Sequence, residues 1–147
     1  MRLTQFTDYS LRVLIYLAIH SNKDELSTID QLTQAYGVSR HHMRSVVHHL
    51  AKLGYIKSTQ GKGGGLVLAH QPEEISIRDV VEDTEKDFYI VECFNPVANA
   101  CPIEPLCVLR QALYEASTSF MQTLDGYTLY DLVKNKKKEL NNLLEVG

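Results

Sequence analysis

Tyr36-Gly37-Val38-Ser39-Arg40-His41-His42-Met43 and, further on, Gly61-Lys62-Gly63-Gly64-Gly65-Leu66 are the stretches that decide the fold. In the first, Gly37 suits the left-handed residue that ends a helix, and Ser39 suits the cap that starts the next. Val38 is a lone apolar residue able to pin the turn between them. Apolar residues recur at helical spacing on both sides: Ile29 and Leu32 before the turn, and Met43, Val46, Val47, Leu50 and Leu53 after it. Ser27 is the expected cap of the earlier helix, and Gly54 the end of the later one. The period then changes. Residues 55–59 and 66–68 read as two short strands joined by the glycine-rich stretch. Helix, turn, helix and hairpin make a winged helix-turn-helix.

That reading assigns chemistry to particular side chains. The second helix would offer Ser39, Arg40, His41, His42, Arg44 and Ser45 to a major groove, with His48 and His49 one turn further, towards phosphates. Arginine can pair bidentately with guanine. Lys62, Gly63 and Gly64 form the wing tip, where a charge and a close backbone approach suit a phosphate or the minor groove. A nucleotide-binding phosphate loop would need a Lys followed by Ser or Thr at the start of a helix. Lys62 is followed by glycines and a strand, which excludes it. The histidines of the helix have no Cys or acid beside them, which argues against a metal site there.

Charge supports a polyanion partner. Residues 36–70 hold five basic residues, no acid and five of the six histidines, for a local charge of +5. Residues 73–92 hold eight acids against Arg78 and Lys86, for −6. The whole chain carries −3. A basic block inside an acidic chain marks a local site for double-stranded DNA, with a merely solvated face as the alternative.

The 147 residues are 44% hydrophobic and 22% charged, which is ordinary globular usage. Disordered, collagen-like, membrane-spanning and disulfide-rich classes are excluded. The longest apolar run, residues 13–19, is far short of the ~20 residues a bilayer requires. The first residues carry an acid and no small-residue cleavage site, so they do not read as a signal peptide. A cytoplasmic protein is expected, and three cysteines fit a reducing compartment.

The fold class that follows is mainly α with a small β wing, joined to a long dimerisation helix. Thr7-Asp8-Tyr9-Ser10 is the expected start of a first helix with Leu11, Leu14, Ile15 and Ala18 inward and Val13 and Leu17 as a second stripe. Residues 22–25 read as a polar turn. A helix starts at Ser76 and fades near Lys86. Residues 88–107 have no period and hold three of the four prolines. Leu106, Leu109, Leu113, Ala116, Phe120 and Leu124 then follow a near-heptad spacing. This reads as a dimerisation helix, with a core helix of the single chain as the alternative. Asp125-Gly126 breaks it, Thr128 caps a short helix through Val133, and a polar tail follows. The expected organisation is a winged helix-turn-helix over 1–72, a cysteine loop and dimerisation helix over 73–135, and a tail over 136–147.

Cys93, Cys101 and Cys107 all lie in the proline-rich loop, with seven and five residues between them. The spacing matches neither a zinc knuckle nor a ferredoxin run. Free cysteines usually hide in cores, yet these stand among polar residues. Converging thiolates need a cation, and soft sulfur suits zinc, copper(I) or an iron–sulfur cluster. Three thiolates leave one position for another ligand. On the residues themselves Asp8 is a first-turn acid favoured by the helix dipole.

Together these features resemble the winged-helix iron–sulfur regulators that include IscR, and within them the nitric-oxide-sensing repressors. The resemblance covers residues 1 to about 133. It rests on Leu3-Thr-Gln-Phe-Thr-Asp-Tyr-Ser-Leu-Arg, Tyr36-Gly-Val-Ser-Arg-His-His-Met, Gly61-Lys-Gly-Gly-Gly-Leu, the three cysteines and Tyr127-Thr-Leu-Tyr-Asp-Leu-Val. It implies a homodimeric DNA-binding repressor that senses nitric oxide through a cluster on Cys93, Cys101 and Cys107. It further implies Asp8 of the partner subunit as fourth ligand and [4Fe–4S] rather than [2Fe–2S]. IscR-like members place a His three residues after the last cysteine; this chain has Arg110 there. The gap between the first two cysteines is longer than the family's usual one. A cluster-supply or redox sensor, a thiol switch and a zinc site are the alternatives. No nucleophile–base pair or cofactor fingerprint points to an enzyme.

Overall fold

The chain starts its first helix at Thr4, whose hydroxyl accepts from the backbone N–H of Thr7. In the computed structural model, residues 2–20 and 26–145 are described. The polar turn expected over 22–25 lies outside them. Helix α1 (Gln5–Ile19) therefore begins earlier than its sequence suggested, and Thr7 and Ser10 fall inside it, fully buried. Their hydroxyls are satisfied locally: Ser10 Oγ donates to Phe6 O at 2.8 Å, and Thr7 Oγ1 pairs with Thr4 Oγ1 at 3.1 Å. Short hydroxyls can sit in a core when the helix's own backbone or cap takes their protons. Thr7, Ser10, Val13, Leu14, Leu17 and Ala18 form the innermost stripe, and the expected Leu11 and Ile15 are only half-buried.

The winged helix-turn-helix follows as expected in kind. Helix α2 (Ile29–Tyr36) is capped by Thr28 rather than Ser27, in a reciprocal box with Gln31. Ser27 instead exchanges backbone hydrogen bonds with Leu66 at 3.1 and 2.7 Å, which docks the wing beside the start of α2. Helix α3 (Arg40–Leu53) is capped by Ser39 and ends at Gly54. The wing pairs β1 (Ile56–Thr59) with β2 (Gly65–Leu68), Ile56 opposite Leu68 and Thr59 opposite Gly65.

Helix α4 (Ile77–Thr84) is capped by Ser76, and α6 (Leu129–Val133) by Thr128. The N-terminal ends of these helices lie side by side, with Ile77 N on Tyr127 O at 3.0 Å and Leu129 N on Ile75 O at 2.9 Å. The expected polar tail forms a helix, α7 (Lys137–Leu144), whose Leu140 and Leu144 pack on the core. One core results, built around α1, which packs on α3, α4, α6, α7 and β2. It joins Leu32, Met43, Val46 and Leu50 to Ile77, Val80, Leu129 and Val133, and so draws on both sides of residue 72. Each fully buried aliphatic side chain contributes about 1.5–3 kcal/mol through the water it leaves.

The exception is helix α5 (Val108–Asp125), the longest, which buries none of its residues. It starts later than the near-heptad suggested, because Leu106 sits in a 3-10 turn and is 91% exposed. Leu113 and Leu124 are half-buried, while Val108 at 78% and Leu109 at 64% face solvent.

Candidate DNA-reading face and cysteine loop

The turn that aims α3 is built from local chemistry. Gly37 has φ +64°, and its N–H closes on Thr33 O. Val38 is buried in the angle between α2 and α3, and Ser39 Oγ accepts from His42 N at 3.3 Å. Met43, Val46, Val47 and Leu50 then hold α3 by its inner face. Helical periodicity turns Arg40, His41, Arg44, Ser45 and His48 to the opposite face, and all five are exposed, as are Ser39 and His42. His42 leans towards α1, its ring 6.4 Å from that of Tyr9. His49 departs from expectation. It is half-buried, edge-on to Phe6 at 5.2 Å, and so holds α3 to α1 instead of facing outward with His48. Leu53, expected on the inner face, is exposed at the end of the helix.

Lys62 and Gly63 are exposed at the wing tip. Gly63 has φ +84°, and a Cβ on Gly64 would lie 2.1 Å from Thr59 O. The hairpin itself therefore demands glycine at both positions, whatever the tip touches. At the wing's base, Tyr55 Oη donates to Asp83 Oδ2 at 2.6 Å, tying the hairpin to α4. Burial first, then that hydrogen bond, raises the Tyr55 phenol well above its ordinary value.

Sequence reasoning missed one neighbour of this face. Asp30, in the first turn of α2, forms an ion pair with Arg40, the first residue of α3. The two are ten positions apart, and the turn at Gly37 brings them together.

The second region is the loop that carries the cysteines. All three thiols are free and half-buried. Cys93 lies in a 3-10 turn (Glu92–Phe94), and Cys101 precedes another (Glu104–Leu106). Glu92, in the first turn, accepts from Ala100 N at 2.8 Å, which draws together the segments carrying Cys93 and Cys101. Cys107 caps α5: its Sγ accepts from Arg110 N at 3.4 Å. Arg110 stands where a ligand His would stand in IscR-like chains, and it pairs with Glu104 at 3.1 Å. Among the described residues no three His, Cys, Asp or Glu side chains converge as a metal site. The donor set nonetheless suits a soft metal centre: three sulfurs on one loop, none engaged in a disulfide.

Asp8 lies one turn into α1, and its carboxylate is gripped by Arg12, Nε to Oδ1 at 3.0 Å and Nη2 to Oδ2 at 2.8 Å. It does not cap α1; Thr4 does. The Arg12 guanidinium also lies over the rings of Tyr9 and Tyr36, at 5.7 and 5.9 Å. Tyr36 Oη donates to Arg12 O at 2.9 Å. Burial pushes the Tyr36 phenol up to about 12, against the lowering effect of Arg12.

Beside α5 lies an open cleft of about 810 Å³, lined by Leu3, Phe88, Tyr89, Tyr114, Phe120 and Met121 among others. Among the described residues no helix is long and apolar enough to cross a membrane.

Comparison with known proteins agrees with this geometry. The Rrf2 family, described as iron-dependent transcriptional regulators, matches residues 3–135. The HTH-type transcriptional regulator NsrR of Bacillus subtilis (strain 168) is 49% identical, over 93% of each chain. That of Halalkalibacterium halodurans is 45% identical, over 99% of each. Among solved structures, T. potens IscR superposes with a TM-score of 0.73 at 21% identity, over 92% of this chain and 88% of that one. CymR, the global cysteine regulator of B. subtilis, gives 0.63 at 25%, over 91% and 97%. Both share the winged-helix fold. The chain belongs to the Rrf2 family and is a DNA-binding winged-helix transcriptional regulator, not an enzyme.

Proposed function

We propose that the chain is a cytoplasmic, homodimeric repressor whose operator affinity is set by an iron–sulfur cluster that senses nitric oxide. The observation that carries this reading is the pairing of an exposed basic reading face with three free, half-buried thiols on one loop. Cys93, Cys101 and Cys107 would hold the cluster, with Asp8 of the partner subunit as the oxygen ligand. Either cluster type takes four ligands; the resemblance to the nitric-oxide-sensing members is what favours [4Fe–4S] over [2Fe–2S]. When bound, the cluster supplies an iron whose oxygen ligand is weak enough for nitric oxide to compete with it.

The chain's own residues supply the rest. α5 leaves Val108, Leu109, Ala112 and Ala116 exposed, an apolar face that suits a second copy. Tyr36 ties the backbone of α1 at Arg12 to the end of α2. The helix that carries Asp8 is therefore bonded to the segment just before the turn that aims α3. Glu85, at the end of α4 and just before the loop, accepts from Thr4 N at 2.7 Å and from Thr4 Oγ1 at 3.0 Å. The end of α4, from which the loop departs, is thus held to the start of α1 within the chain. A hundredfold change in operator affinity needs about 2.7 kcal/mol of coupling between these parts.

C93A and C107A test the ligand set. Both variants are expected to lose iron and sulfide together and to bind the operator about a hundredfold more weakly. Full iron and sulfide content in either variant would overturn the assignment. Zinc, or no metal, in the unaltered protein after anaerobic reconstitution would replace the cluster with a zinc site or thiol switch.

A further inference from the structure

The contact between Arg40 and Asp30 has a meaning for DNA binding beyond the assignment of Arg40 to the reading face, on which it rests. Both side chains are more than half exposed, at 57% and 65%. Exposed ion pairs contribute little to folding. The pair's consequence lies instead in what Arg40 is free to do. An unpaired guanidinium at the start of a recognition helix binds any phosphate, and such contacts supply most non-specific affinity. Asp30 cancels that charge, and its carboxylate faces the polyanion with a repulsion of its own. The guanidinium fork has two edges. Nη1 is engaged with Asp30, which leaves the other edge able to pair with the O6 and N7 of a guanine.

The surroundings make this acid conspicuous. Residues 36–70 contain no acid, so the DNA-reading helix and wing are otherwise uniformly basic or neutral. The fold reaches back to α2 to set one carboxylate beside the first residue of α3.

We propose that Asp30 is a specificity-determining residue, which suppresses phosphate binding by Arg40 and reserves that side chain for a base edge. The test uses the full chain, purified without oxygen, as the unaltered protein, D30N, R40Q and the double variant. The probes are a duplex selected by the unaltered protein from a randomised pool and a scrambled duplex of the same composition. D30N is expected to bind the scrambled duplex roughly three- to tenfold more tightly and the selected one little differently. Its salt dependence on the scrambled duplex should steepen by about one unit of slope. In the R40Q background the same substitution should change either quantity by less than half as much on a logarithmic scale. A D30N protein with unchanged scrambled-duplex affinity overturns the proposal. So does a gain of equal size in the R40Q background, which would be bulk charge removal, or an equal gain on both duplexes. R40Q reads the underlying assignment separately: unchanged affinity for the selected duplex would remove Arg40 from the reading face. Thermal unfolding of D30N checks that α2 keeps its first turn.

Discussion

The reading head and the cysteine loop are neighbours in one chain but are held in opposite ways. Between residues 28 and 68, Leu32, Met43, Val46, Leu50, Ile56 and Leu66 are buried, and each helix starts on a side-chain cap. Between residues 88 and 125 nothing is buried. That segment is organised by backbone turns, Glu92, Glu104 and the Cys107 sulfur. A segment with few buried contacts opens at low free-energy cost. The head carries its own core, whereas the loop and α5 draw little on one, as the proposed cluster and second copy would require.

Substitutions can break or sharpen this contrast. The largest effect belongs to the head. Leu50→Ala should lower unfolding stability by about 2–5 kcal/mol, while Leu109→Ala on α5 should change the folding of a single chain by about 0.5 kcal/mol or less. Chemical denaturation measures both, and equal effects would erase the distinction. Next comes Leu109→Glu, which should weaken dimer association by about 3 kcal/mol or more by burying an unpaired charge. Sedimentation equilibrium should show monomers while circular dichroism shows the helices intact; an unchanged dimer would free α5 from that role.

Smaller effects lie on the reading face. Arg44→Ala should reduce affinity for the selected duplex by about 1–3 kcal/mol while leaving scrambled DNA little affected. Lys62→Ala should weaken binding to both alike and lower the salt slope by about 1. Reversed behaviour would exchange the roles of helix and wing. The smallest effect is on pH dependence. The Lys134 hydrogen bond first, and then those from Thr128, hold the Asp131 carboxyl down at about 2, below its ordinary 3.8. Its stabilising contribution is present above 3.8 and is lost as pH falls towards 2. Thermal unfolding of Asp131→Asn should lose that part of the acid sensitivity.

Sequence revealed the head more fully than the loop, for physical reasons. Gly37, Val38, Ser39 and Gly54 are readable because caps and left-handed turns are decided within a few residues. Thr4 escapes notice because Thr7, Asp8 and Ser10 all look like caps, and their burial depends on packing from distant helices. Leu106 reads as part of the long helix because its spacing to Leu109 and Leu113 is helical, whereas the Cys107 sulfur caps α5, which starts at Val108. α7 is hidden by its lysines, since Leu140 and Leu144 gain their partners only from α1 and its neighbours. Asp30 cannot be paired with Arg40 without the turn between them. The cysteines are readable as ligand types, but their spacing does not say how three sulfurs meet.

On the proposed function, the cysteine loop holds an iron–sulfur cluster whose integrity sets operator affinity. The direct measurement is iron and sulfide content with operator affinity, on anaerobically purified protein, before and after nitric oxide. About four irons and four sulfides per chain are expected, with bleaching by nitric oxide and a parallel fall in affinity. A colourless protein after anaerobic reconstitution, or affinity unchanged while the chromophore is lost, would contradict it.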